Sequence, residues 1–427
     1  MREAAAGESV LLGFLSSVFL VLSAVGVTLT GQISWMIHLV RLSGIGLVVL
    51  YGLVILQSDP KIPAEVMLFG AFVGWGTATG VIVSRHKPFF WDTVRLMAQI
   101  WALVAAVAGL TAFKQDPSLP FAALAISATA LVIGSLAAGE AGRAADLMAP
   151  ARAHSYIENP NSLAQFALLG IFGLLFFWRR TTPAYQRVLL VGLFVLLAFG
   201  IILSGSRKGF VGLLLMIAAW LWFCFRQSLF SRPLYPLLAL SALFGTYLLV
   251  DSVWESTYLG ARLQLTLQDE TILGRARTQM YREAVDLFLA HPLAGVGFGN
   301  FKTYSWFQMY SHSDYMEALS TTGAIGSALY FVIYPVLWRR LRRIEASNLG
   351  SDVTHEVGLY KAFVITQLVL ALGRINYQSI LTMVIMSGVI GHAFALEQDL
   401  SLSSESSPCQ SVPKRRRIIQ KTRCEDD

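Results

Sequence analysis

Charge is what this sequence has least of. Of its 427 residues only 14 % are charged while 55 % are hydrophobic, and the mean hydropathy is +0.59. Soluble domains carry about 25 % charged residues, so an ordinary soluble globular domain is excluded and the chain reads as a polytopic membrane protein, counted in spans rather than by length. Cysteine is scarce as well. Cys224 closes a hydrophobic run and Cys409 and Cys424 lie near the C-terminus, so there is no disulfide framework. A metal site is not expected, because His312-Ser313-Asp314 lacks the i, i+4 spacing of helical ligand pairs and no Cys or second His accompanies it. Neither a repeat of 20 to 50 residues nor a nucleophile elbow is present, since Ser206 has the wrong surroundings for that turn. Acidic residues are the minority, 26 Asp+Glu against 33 Lys+Arg, for a formal charge of +7. In a membrane protein that excess reads as basic bias of the cytoplasmic loops, and no nucleic-acid partner is expected.

What is there is apolar helix. A transmembrane helix needs about 20 mostly apolar residues. On that rule spans are expected near 10–30, 36–56, 64–83, 95–113, 118–139, 162–178, 187–204, 209–225, 234–251, 313–337, 359–373 and 375–396. The first reads as a retained span rather than a signal peptide, because Glu3 and Glu8 accompany Arg2. The fold class is therefore all-α, a polytopic membrane protein of about twelve transmembrane helices. One helical domain, 1–397, is followed by a Ser-rich, then basic tail, 398–427, of a composition expected to be disordered and drawn to anionic lipid. Cytoplasmic termini put Arg179, Arg180, Arg187, Arg226, Arg232, Arg339, Arg340, Arg342, Arg343 and the run Lys414-Arg415-Arg416-Arg417 on the inner side, which the positive-inside rule favours.

That topology gathers three polar features on the extracytoplasmic side: residues 139–162, the tight turn Ser204-Gly205-Ser206-Arg207-Lys208-Gly209, and a large loop, about 252–312. Arg374, between the last two spans, joins them. A loop of that length is expected to be functional or a small subdomain. Within it Met280, Ala284, Leu287 and Phe288 recur at helical spacing, which predicts an amphipathic helix over 271–290, ended by His291-Pro292. Gly295-Val296-Gly297-Phe298-Gly299 follows no strand and reads as a turn packed close to backbone rather than a phosphate loop.

Arg207 and Lys208 break the basic bias in a connection too short to let them wander. They suit either snorkelling to headgroups or recognition of a phosphate, which a guanidinium meets with paired hydrogen bonds. Arg85, His86 and Lys87 break it too, in a longer and wetter loop. Arg275 and Arg277 are either a solvated helix face or part of the same anion clamp. His312, at the membrane edge beside these arginines, resembles a general acid/base next to that clamp.

Taken in order, Ser204-Gly205-Ser206-Arg207-Lys208-Gly209, Gly274-Arg275 with Tyr281 and Ala284, the run from Pro292 to Phe301, and His312 with Gly323 and Gly326 resemble the O-antigen ligase and Wzy-type O-antigen polymerase superfamily. The resemblance covers about the second half of the chain in motifs and all of it in span count. Ser313 stands where the family commonly has Asn after the histidine. It implies a glycosyltransferase of the bacterial inner membrane that needs no metal or other cofactor. The donor would be a glycan on undecaprenyl diphosphate, and the acceptor a sugar hydroxyl, on lipid A–core for a ligase or on another lipid-linked repeat for a polymerase. His312, Arg207 and Arg275 would then be catalytic, with Lys208 and Arg277 as secondary substrate contacts. The same motifs serve ligase and polymerase alike. A small-anion transporter, the reading from a different class, would need charges near mid-membrane, whereas here they gather at one face.

Overall fold

A computed structural model describes residues 36–57, 61–84, 88–114, 116–137, 160–180, 183–231, 272–347 and 350–405. Among these there are helices and turns and no strand: α1 (Met36–Gln57), α2 (Ala64–Ser84), α3 (Phe90–Lys114), α4 (Ser118–Ala137), α5 (Pro160–Arg180), α6 (Ala184–Leu203), α7 (Arg207–Ser231), α8 (Ile272–Ala290), α9 (Phe301–Tyr304), α10 (Asp314–Phe331), α11 (Ile333–Ala346), α12 (Ser351–Leu370) and α13 (Ile380–Glu405). Eight stretches among the described residues are long and apolar enough to cross a membrane, and the protein is a multi-pass membrane protein. Eight of the expected spans coincide with these stretches. The spans expected at 36–56 and 359–373 fall on α1 and α12, while those at 10–30 and 234–251 lie outside the described residues. So do Arg85, His86, Lys87, most of the 139–162 loop, the first part of the large loop, and the tail beyond Glu405. Helix α13 itself runs past 397, the boundary expected for the tail.

The helices pack as a bundle in which α5 sits between α4 and α6, α13 lies along α3, and α12 lies along α7. Small residues set the closest approaches. A Cβ added at Gly391 of α13 would lie 2.3 Å from the Ala108 carbonyl oxygen of α3, and one at Gly173 of α5 would lie 2.6 Å from that of Phe121 in α4. Such contacts let apolar helices gain dispersion energy where no hydrophobic effect drives them together. Helix α10 continues into α11 across Val332 to make an apolar stretch of 33 residues. Pro335 explains the joint, because without an N–H it cannot bond the Phe331 carbonyl. The stretch has more than the roughly 20 residues that span a hydrocarbon thickness of about 30 Å. Its far end carries Arg340, whose guanidinium bonds Glu65 (2.9 Å) and Glu397 (2.8 Å). At the same end Arg180 pairs with Glu356 (2.7 Å) and Asp116 (3.1 Å).

The large loop does not stay outside the bundle. Residues 292–301 turn inward, and Phe298 is fully buried, edge-on to Phe72 at 5.2 Å. Helix α10 opens to receive this segment: Gly323 has φ 65° and ψ −168°, a conformation only glycine adopts readily. The main-chain groups released there are bonded by the incoming strand of chain. Val296 N–H donates to Ser320 O (3.0 Å), Gly297 N–H to Thr321 O (2.7 Å), and Ala324 N–H to Pro292 O (2.8 Å). Irregular backbone at membrane depth is tolerated only when protein satisfies it in this way. The apolar run 313–337 reads as one continuous span, and the structure corrects this with a break at Gly323. The Gly295-x-Gly297-x-Gly299 run is the other half of the seam: all three glycines have positive φ, and a Cβ at Gly295 would lie 2.4 Å from the Thr321 carbonyl carbon.

Candidate functional site

Five chain segments meet at the end of the bundle opposite Arg180 and Arg340: the starts of α5 and α7, part of α8, the residues before α10, and the turn between α12 and α13. Between them lies a cavity of about 230 Å³. Each segment arrives for a local reason. Helix α6 stops where Gly205 takes φ 60°, and the Ser206 hydroxyl then caps α7 by accepting the Gly209 N–H (3.3 Å) while donating to Asn161 Oδ1 of α5 (3.0 Å). Arg207 and Lys208 are thereby fixed in the first turn of α7. A helix N-terminus already carries partial positive charge, so two cations there are unfavourable alone and favourable once an anion binds.

Lys208 reaches the cavity past Gly373, whose missing side chain leaves room: a Cβ there would sit 2.9 Å from Lys208 Cε. Arg277 enters from α8, which is tied down where the Tyr281 hydroxyl donates to the Leu372 carbonyl (3.0 Å). Arg374 enters from the turn itself, within 3.5 Å of the Ser379 hydroxyl. Burial lowers Arg374 to about 10, which still leaves it cationic at neutral pH. Facing these cations, the uncharged lining comes from Asn161, Ser162, Gln165, Gln378 and Ser379. Gln165 Nε2 donates to Thr382 Oγ1 (2.5 Å), which donates to Ser379 Oγ (3.1 Å), so amide and hydroxyl groups form a linked row. No Asp or Glu is among the described lining residues.

His312 closes the site. Its φ of 62° is left-handed, unusual for a residue with a Cβ, and its ring packs against Tyr310 with centroids 4.3 Å apart. Burial, then Lys208 and then Arg277, bring its pKa down from the usual 6.5 to about 4. At neutral pH the imidazole is therefore uncharged, with a nitrogen free to accept a proton.

Of the residues singled out from sequence, Lys208, Arg277 and His312 line this one cavity. Arg207 is half-buried beside them in the first turn of α7 but is not among the described lining residues. Arg275 lies in the first turn of α8, with its side chain outside the described residues. Arg374 was noted as a cation on the same face but not assigned to the site. The signal that singled out Arg207 and Lys208, a basic residue in a short connection that breaks the charge bias, also marks it.

Residues 192–331 match the O-antigen ligase family. That stretch holds Lys208, Arg277 and His312, and the superfamily is the one the motifs resemble. Arg374 and the α5 wall lie outside the matched residues. No curated protein matches the chain. Among solved structures, one described as the structural coordination of polymerization and crosslinking by a peptidoglycan synthase complex is 16 % identical. It covers 79 % of this chain and 97 % of its own, with a TM-score of 0.43.

Proposed function

We propose that this O-antigen ligase-like protein transfers a glycan from undecaprenyl diphosphate to a sugar hydroxyl, in the manner of an O-antigen ligase acting on lipid A–core. One observation carries the reading: Lys208, Arg277 and Arg374 converge on a cavity whose other polar lining groups are amides, hydroxyls and one uncharged imidazole, with Leu168, Leu370 and Ile375 as its apolar part. A diphosphate suits the cations and a polyhydroxylated sugar suits the row from Gln165 to Ser379. In the reaction the acceptor oxygen forms a bond to the anomeric carbon as the bond from that carbon to the diphosphate oxygen breaks. The leaving oxygen takes the electron pair, and the acceptor proton passes to His312. Cations already aimed at that oxygen stabilise its growing charge, by about 3 to 4 kcal/mol for one well-placed donor in comparable sites. Attack from the opposite side inverts the anomeric centre. The site then faces the extracytoplasmic side of the inner membrane, and Arg180, Arg340 and Arg343 face the cytoplasm, as the positive-inside rule prefers.

The test is reconstitution of the purified protein with a lipid-diphosphate glycan and either lipid A–core or a second lipid-linked glycan. Transfer to lipid A–core, abolished in His312→Ala and reduced in Arg207→Ala and Arg275→Ala, supports the ligase. Extension of the lipid-linked glycan alone makes the protein a polymerase. Full glycan attachment by all three variants would remove the site assignment.

A further inference from the structure

Two carboxylates stand next to the cavity and turn away from it. Asp314 and Glu317 lie near the start of α10 and are 0 % and 1 % exposed. Their bonds run to the two loops that hold the chemistry. Asp314 Oδ1 accepts the Asn376 N–H (2.7 Å), and the Asp314 N–H is shared between the carbonyls of Ala371 (2.9 Å) and Arg374 (3.0 Å). Ser313 Oγ adds a bond to the Ala371 carbonyl (3.2 Å). Glu317 Oε2 accepts the Ser311 N–H (2.8 Å), and Ser311 Oγ donates to the Ser313 carbonyl (3.0 Å). His312 thus has a fastened residue on each side, and the Arg374 turn is fastened to the same helix start. Asp314 Oδ2 also accepts the Tyr330 hydroxyl (3.2 Å), which anchors the carboxylate from within the bundle.

A left-handed residue such as His312 persists only where its surroundings over-determine it. Buried carboxylate oxygens, for their part, are tolerated only when bonded. Here the two needs are met together. Taking the cavity as a glycan-transfer site, we infer that Asp314 and Glu317 are positioning residues which hold His312 and Arg374 at a fixed separation, acting through main-chain hydrogen bonds rather than through their charge. Asparagine and glutamine keep a carbonyl oxygen where the N–H groups of Asn376 and Ser311 point, whereas alanine does not. The amide and alanine variants therefore separate geometry from charge.

The experiment compares Asp314→Ala, Asp314→Asn, Glu317→Ala and Glu317→Gln in proteoliposomes supplied with a lipid-diphosphate glycan. A displacement of about 1 Å at a reacting group lowers rate by roughly 10²-fold. Glu317→Ala should lose about that factor in kcat with little change in donor KM, because it releases the His312 side only. Asp314→Ala should lose kcat and also raise donor KM, because it removes the carboxylate oxygen that holds the Asn376 N–H and leaves the Arg374 turn fastened only by the Asp314 main-chain N–H. Both amide variants should stay within about threefold of the parent protein, since the acceptor oxygen is kept. A second readout needs no turnover: the rate at which diethyl pyrocarbonate modifies His312, followed by mass spectrometry, should rise in the alanine variants and not in the amides. Amides as inactive as alanines would overturn the inference, as would alanine variants unchanged in both readouts. Absence of any transfer by the parent protein would defeat the functional reading instead, leaving the labelling contrast to decide the positioning role. If an alanine variant fails to fold, Ser311→Ala and Ser313→Ala remove outer bonds of the same clamp. Their indifference in both readouts would count equally against it.

Discussion

Protonation of His312 offers the sharpest test of the site. Burial and the two cations Lys208 and Arg277 bring this histidine from 6.5 to about 4. The form that accepts a proton is the neutral one, so a lowered pKa extends activity toward acid, and activity falls only as pH drops through the lowered value. At pH 5.5 a histidine titrating at 6.5 would be roughly one-tenth neutral, and one titrating at about 4 is roughly 97 % neutral. The assay is the pH dependence of kcat/KM for glycan transfer, which reports the free enzyme. It should change little between pH 7 and 5.5. Lys208→Met and Arg277→Met should each move the acid limb upward while leaving it below 6.5, because burial is the larger cause and remains. The limb of kcat should lie above that of kcat/KM in the parent protein, since a bound diphosphate offsets the same two cations. A tenfold fall in kcat/KM between pH 7.5 and 5.5 would refute the burial of His312 beside Lys208 and Arg277.

Further outcomes follow from other parts of the molecule. Arg374→Met should reduce kcat by about 10²- to 10³-fold, the loss seen when one preorganised donor to a developing oxyanion is removed, as measured by single-turnover transfer. Arg340→Ala leaves Glu65, 0 % exposed, without the guanidinium 2.9 Å away. The loss should be about 3 to 5 kcal/mol, seen as a lower unfolding temperature in detergent, while exposed Arg343→Ala should be nearly neutral. Gly323→Ala puts a Cβ 2.4 Å from the Leu293 carbonyl carbon at a backbone geometry only glycine tolerates, and the yield of folded protein should collapse.

Apolar runs told most of the helices apart, because a span in lipid must satisfy its own backbone and so announces itself by length. What sequence could not supply was rotation and contact. Arg207 and Lys208 are neighbours, and neighbours on a helix point about 100° apart. Of the two, Lys208 is the one among the described lining residues, while Arg207 stands half-buried beside it. The break at Gly323 was hidden because a glycine in an apolar helix signals nothing until another segment is seen to enter there. The placement of Arg374 depends on hydrogen bonds to Asp314, 60 positions earlier, and no local pattern encodes a bond of that span. His312 was legible for a different reason: it stands between polar loop and apolar helix, on the same face as the cations that break the charge bias.

The seam between 292–297 and 320–325 is fastened by main chain to main chain. Val296 and Thr321 do not make these bonds but are fully buried, so packing limits exchanges there, whereas exchanges at exposed Leu293, Ala324 and Ile325 should leave the join closed. The glycines that let the two segments approach are the least replaceable. Random mutagenesis of this strip should accordingly return intolerance at 295–297 and 320–323 and tolerance at 292, 293, 324 and 325.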